Sequence, residues 1–517
     1  MAEPHGAPQR PYHRTVVDGV PVLWADLATD PTVTLLFGVG LQDMDPRTVG
    51  ITHLVEHLVM RRVGRVDIPH NAESTLRSTS FYATGRPDQL VDFVDRVCRA
   101  VRELSTVTPE EVDLERRTVL AEVGRESLYA AHDAFTVRYG PSGTGVAALS
   151  HTRLMDWTID EVREAAARWF HRDNAVLVST APLPAGLRLD LPSGPPVARL
   201  PHPPSVLPGP SWAEHSSDEL VLSGECSTEH DDATRILATA VLTEALNATL
   251  RTAQGDVYTV QSMAVQVDDA REVLTVAADP GPERVCDVLV ATLDVLERLA
   301  VSGPGPDELE RARAVLANEL DLVASHAWWL DLAASYELRG FTVSSPAEVS
   351  ARLPEVSGQA VAAVLTELRS TLLVCFPAGH VPHDEALARL AKDRLGAVSL
   401  LDDTSPVPRR GGSRHKARFF SPARGSSVRL LEDRFVLTDP GATYTIRHQE
   451  VLLAGVDEDG DVELVTARGA SVVLVPALFR NLAAPLARTV DRLGPTVRYV
   501  KSTAAGTTGD PAPVPAR

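Results

Sequence analysis

His53, Glu56 and His57 lie in the run Gly50-Ile51-Thr52-His53-Leu54-Val55-Glu56-His57-Leu58-Val59-Met60. On a helix, two histidines four residues apart project from one face, with the glutamate at i+3 beside them. Two imidazoles one turn apart reach a common zinc ion at about 2.0–2.1 Å without bending the backbone. A carboxylate between them is placed to take a proton from a water activated there, which is the equipment of metal-assisted hydrolysis. The order His-x-x-Glu-His reverses the commoner His-Glu-x-x-His. Ile51, Leu54, Val55, Leu58 and Val59 are apolar, so the helix is expected to be largely buried. Five residues alone also arise by chance, and the rest of the chain decides.

Strand-like runs at 15–24 and 32–40 precede this helix, and a short polar connection through Gly64 and Pro69 follows it. Residues 78–85 read as a strand and 88–104 as an amphipathic helix with 3-4 spacing. Thr108-Pro109-Glu110-Glu111 is a helix start, with a capping residue, proline at the first position and acids in the first turn. The helix it opens carries Glu115 and Glu122 seven residues apart, so both carboxylates share one stripe. Taken alone, that stripe also fits a solvated helix face.

Together these features resemble the M16 peptidase family, the insulinase- and pitrilysin-like zinc peptidases that include the mitochondrial processing peptidase. That family has H-x-x-E-H, then N-A-x-T-x-x-x-x-T-x-Y-Y-A, then E-R-x-x-V-x-x-E. Here the second element is Asn71-Ala72-Glu73-Ser74 followed by Thr79-Ser80-Phe81-Tyr82-Ala83, and the third is Glu115-Arg116-Arg117-Thr118-Val119-Leu120-Ala121-Glu122. The resemblance implies one zinc ion per chain on His53, His57 and Glu122, with Glu56 as general base and Glu115 orienting a ligand histidine. It also implies that Asn71, Ala72, Tyr82 and Ala83 belong to an edge strand on which an extended peptide is laid. One departure is the connection from His57 to Asn71, shorter than the family usually shows, as though a helix were missing.

Beyond a Pro-rich stretch at 183–212, a second αβ unit is expected, with a helix at about 231–250, strands near 257–278 and a long helix at 284–301. It contains Leu250-Arg251-Thr252-Ala253-Gln254-Gly255-Asp256-Val257-Tyr258, similar to the family's L-R-x-x-x-G-x-x-Y signature. The resemblance makes Arg251 a holder of the substrate backbone and Tyr258 a donor to a developing oxyanion; otherwise they are a surface arginine and a core tyrosine. Residues 403–426 read as a second linker. Short strands over 427–474 and a helix at 477–492 make a small β-rich unit over 427–495, resembling a PH-type module, and 496–517 a disordered tail.

The expected fold is therefore α+β: a zinc-bearing domain at 12–182 and a second domain at 213–402, both of the LuxS/metallopeptidase-like αβ type. Together they would form half a clamshell, with the small C-terminal domain appended. The resemblance implies an endopeptidase acting on peptides or a precursor peptide in a chamber closed by a homodimer or by an M16-like partner. The alternative is a catalytically silent structural or partner subunit, and a further one a protein whose C-terminal module chiefly docks.

The formal net charge of −19 argues against a general nucleic-acid binder. Residues 1–14 are polar, without the apolar core of a secretory leader, and no stretch approaches the ~18 apolar residues of a membrane span. The chain thus reads as cytoplasmic. Cys98, Cys226, Cys286 and Cys375 are scattered without C-x-x-C spacing and read as buried thiols.

Overall fold

In the computed structural model, residues 12–123, 130–215, 217–377, 383–401, 407, 411–495 and 497–500 are described. The first αβ unit runs β1 (His13–Val17), β2 (Val20–Trp24), β3 (Thr32–Phe37), α1 (Ile51–Val63), β4 (His70–Ser74), β5 (Thr79–Thr84), α2 (Pro87–Glu103), α3 (Pro109–Val123), α4 (Ala130–Tyr139), α5 (Ile159–Trp169) and β6 (Ala175–Ser179). Residues 15–24 belong to a hairpin, not to one strand: Asp18 and Gly19 both take positive φ, 50° and 87°, as a two-residue type I′ turn requires. The sheet order is β1-β2-β6-β3-β5-β4. Val33, Leu35 and Phe37 of β3 and Phe81 and Ala83 of β5 alternate inward and share one core with α1 and α2.

The second unit runs β7 (Ser211–His215), β8 (Leu220–Ser227), α6 (Asp232–Leu246), β9 (Val257–Gln266), β10 (Arg271–Pro280), α7 (Val285–Ser302), α8 (Pro306–Leu320), α9 (Val323–Glu337), α10 (Pro346–Arg352), α11 (Gly358–Ser370), β11 (Leu373–Pro377), α12 (Asp384–Lys392) and β12 (Gly396–Ala397). Its sheet order is β12-β7-β11-β8-β10-β9. Without the outermost β1 and β12, the two sheets match strand for strand. In each, the parallel pair (β2 with β6, β7 with β11) is followed by antiparallel neighbours. The duplication is thus topological, and α6 stands where the first unit has α1.

Each unit lends a helix to the other. Ala134 and Val137 of α4 pack on Ala213, Val221, Leu373 and Cys375 of the second sheet. Trp329, Leu330, Ala333 and Ala334 of α9 pack on Leu23, Leu36, Val176 and Val178 of the first. Arg138, fully buried, donates to the Ser223 carbonyl at 2.6 Å. Up to residue 210 the Pro-rich stretch holds neither helix nor strand, and its Leu187, Leu189 and Leu191 are buried in the first core.

The C-terminal unit is larger than the sequence suggests. The stretch expected as a linker at 403–426 contains β13 (Ser413–Lys416), which opens the sheet β13-β14-β15-β16 with β14 (Ser427–Leu430), β15 (Arg434–Asp439) and β16 (Ala442–Arg447). A second sheet, β19-β18-β17-β20, holds β17 (Val451–Val456), β18 (Val462–Thr466), β19 (Ser471–Leu474) and β20 (Arg498–Val500). The expected tail thus begins with a strand; the remainder, 501–517, lies outside the described residues. The closing helix α13 (Ala483–Asp491) starts just before Pro485, because proline is tolerated in a first turn, where its missing N–H has no helical partner. Leu453, Val465 and Tyr499 join the first unit's core, so this module is seated on that unit. No helix among the described residues is long and apolar enough to cross a membrane.

Candidate metal centre

Burial of Ile51, Leu54, Val55, Leu58 and Val59 fixes the rotation of α1 and leaves His53 and His57 half-buried, with Glu56 buried beside them. The Nε2 atoms of His53 and His57 are 3.2 Å apart. Glu122 Oε2, from the last turn of α3, lies 3.1 Å from His57 Nε2 and 3.8 Å from His53 Nε2. Bonds of about 2.0–2.1 Å in a tetrahedral site place donors roughly 3.3–3.4 Å apart. Two imidazoles and a carboxylate therefore stand where three corners of such a site belong. His53, Glu56 and His57 also gather their donor atoms closely enough to hold a metal ion.

Helix α3 is keyed to α1 by a ladder of charges. Arg62 pairs with Glu111 at 2.9 Å, Arg61 with Glu115 at 3.1 Å, and the other oxygen of Glu115 faces His57 Nδ1 at 3.4 Å. The seven-residue spacing thus does two jobs: Glu122 faces the Nε2 side of His57 and Glu115 its Nδ1 side. For Glu115, burial would raise the pKa, but hydrogen bonds from His57 and Arg61 outweigh it and the carboxyl stays below its ordinary range. His57 is raised, burial being overcome by Glu115, Glu56 and Glu122. His53 is lowered to about 4 by burial and by the neighbouring His57.

Glu56 is pushed up to about 7, chiefly by burial; a hydrogen bond from Ser74 and the nearby His57 oppose the shift, and Glu122 and Glu73 add to it. The Ser74 contact brings the end of β4 against Glu56. Strand β4 is the outer strand of its sheet, and it carries Asn71 and Ala72. Tyr82 and Ala83 are not on that edge: they belong to β5, one strand inward, where Tyr82 faces Asn71 and the buried Ala83 faces His70. From Gly64 to Pro69 the connection into β4 has no helix, matching the short spacing in the sequence.

Arg251 and Tyr258 belong to the second unit and are brought to each other, not into the histidine cluster. Arg251 lies on a π-helical extension of α6 (Asn247–Gln254), and its guanidinium sits 5.6 Å from the centre of the Tyr258 ring. Tyr258 is 76% exposed, so it is no core aromatic. It is the second residue of β9, the counterpart of β4 at the rim of the second sheet. Extra residues inserted as π turns recur at functional sites.

One partner escapes the sequence reading. His151 Nε2 lies 2.8 Å from His53 Nδ1. It is 98 residues away in sequence, on the loop before α5, and no spacing pattern points to it.

Neither a family model nor a curated protein matches the sequence. Solved structures do match the fold. An M16 peptidase inactive domain from Pseudomonas fluorescens aligns with TM-score 0.57 and 15% identity over 71% of this chain and 98% of its own. The periplasmic protease PqqL from Escherichia coli aligns with TM-score 0.57 and 15% identity over 85% of this chain but only 56% of its own. A protease from Helicobacter pylori gives TM-score 0.56 and 14% identity over 71% of this chain and 99% of its own. In its paired sheets and exchanged helices, this chain has the fold of the M16 peptidases.

Proposed function

We propose that the protein is a zinc-dependent endopeptidase. The observation that carries this reading is the convergence of His53 Nε2, His57 Nε2 and Glu122 Oε2 within 3.1–3.8 Å of one another, with the Glu56 carboxyl alongside. Two nitrogens and one carboxylate oxygen, with a corner left free, match the donor set of catalytic zinc. Zinc bound there supplies Lewis acidity to a water and to a scissile carbonyl.

The chain's own residues do the rest. Glu56, held near neutrality by burial, takes the proton of the attacking water and returns it to the leaving amine. Glu115 fixes the ring of His57 and, with Arg61, stays ionised. The outer edge of β4 offers backbone donors and acceptors to an extended peptide, which Ser74 brings beside Glu56. Arg251 and Tyr258, on the rim of the second unit, serve a site completed by a second copy or an M16-like partner, where Arg251 grips the peptide and Tyr258 donates to the oxyanion. Four free cysteines suit a reducing compartment, in keeping with a cytoplasmic enzyme.

The competing reading is a silent structural subunit; one matching structure is itself described as an inactive domain. The intact donor set favours the enzyme. The test is cleavage of a mixed peptide library with and without chelator. Zinc-dependent cleavage supports the enzyme, and no cleavage by the zinc-loaded protein, alone or with added homologue, supports the silent subunit.

A further inference from the structure

We infer that His151 is the positioning residue for His53, a neutral imidazole acceptor where zinc-binding histidines more often face a carboxylate, a carbonyl or water. This inference rests on the proposed metal site. Because His53 Nε2 belongs to the three-donor set, a metal-holding His53 carries its proton on Nδ1. That N–H donates to His151 Nε2 at 2.8 Å, and His151 keeps its own proton on Nδ1. The two rings cross at 71° with centres 5.0 Å apart, so the contact is a hydrogen bond and not a stack.

The backbone holds His151 in place. It takes φ 70°, and Gly50, the residue that caps the start of α1, takes φ 92° so close to it that a Cβ there would lie 2.8 Å from the His151 backbone nitrogen. Arg153 and the indole of Trp157 both donate to the Arg47 carbonyl, at 3.1 and 3.0 Å, tying the His151 loop to the segment that leads into α1. Arg116 of α3 donates to the Trp157 carbonyl from the other side. The same anchors that set α1 and α3 thereby set His151.

The two ligand histidines are supported unequally. His57 faces the anionic Glu115, whereas His53 faces an uncharged ring. His151 orients His53 without adding negative charge, and leaves the bound metal more electrophilic than two carboxylate supports would.

The test measures zinc affinity by competition with a chromophoric chelator, and the visible spectrum of the cobalt(II)-loaded protein. His151→Phe keeps the ring without an acceptor; His151→Gln returns an acceptor near the Nε2 position. We expect His151→Phe to weaken zinc affinity about 10- to 100-fold and shift the cobalt bands, with unfolding of the metal-free protein unchanged, and His151→Gln to recover most of both. Wild-type affinity and spectrum in His151→Phe would overturn the assignment. So would equal losses in both variants accompanied by a lowered unfolding temperature, since that marks a structural role only. Should His151→Phe not fold, imidazole ¹⁵N–¹H correlations of the zinc-loaded wild type decide: a His53 Nδ1 proton coupled across the hydrogen bond to an unprotonated His151 Nε2 supports the assignment, and a protonated His151 Nε2 refutes it. Unaltered zinc binding by His57→Ala would instead show that the metal site itself has been misplaced.

Discussion

At the scale of single residues, the proposed site makes separate predictions for Glu56, its proposed base, and Glu115, the carboxylate facing His57. Glu56→Gln keeps the three donors and removes the base, so zinc content is expected to stay stoichiometric while turnover falls by about 10²–10⁴-fold; wild-type turnover would remove Glu56 from the role. Glu115→Gln removes the anion behind His57, and zinc affinity is expected to fall about 10-fold or more, read by chelator competition. Both residues are legible in the sequence because their spacing is helical, and helical spacing fixes which side chains share a stripe without any knowledge of the fold. His151 is not legible, because its place beside His53 depends on a loop closing across 98 residues of chain.

At the scale of elements, Gly50 and α9 make separate predictions. At Gly50, φ 92° and the nearby His151 backbone nitrogen leave no room for a side chain, so Gly50→Ala is expected to destabilise by about 1–3 kcal/mol in denaturant unfolding. On α9, Asp331 hydrogen-bonds to Thr34 of β3, and burial, opposed by that bond and reinforced by Glu73, lifts its pKa from 3.8 to about 7. Its Oδ1 has no partner. The folded state thus keeps a proton that the unfolded state has lost between about pH 4 and 7. This contribution to stability is complete below the unfolded value and fades as pH rises through about 7. Asp331→Asn does not titrate, so its unfolding temperature should gain on the wild type from pH 5 to pH 8; an equal difference at both would show that Asp331 is not so perturbed. The sequence discloses α1, α2 and the start of α3 through apolar periodicity and capping. It does not disclose that Tyr82 lies one strand inside the edge, because strand order depends on long-range pairing.

At the scale of the whole molecule, the two αβ units repeat one topology and each covers the other's sheet with a helix. The order of elements hints at the repeat, but the exchange of α4 and α9 rests on contacts between distant segments that no local pattern encodes. Arg251 and Tyr258 lie with each other on the second unit, and the proposed function assigns them to a site completed by another copy. If so, mixing Glu56→Gln chains with Tyr258→Phe chains, each weak alone, should restore activity, since one site of each mixed dimer is intact. Activity that stays at the sum of the two would place the complete site within one chain.

The most direct measurement is zinc content per chain in the purified wild type and in His57→Ala, run beside cleavage of a mixed peptide library with and without chelator. The account predicts about one zinc per wild-type chain, lost in the variant, and cleavage that chelator abolishes and zinc restores. A wild-type protein that takes up no zinc, or that cleaves equally well stripped of it, would contradict it.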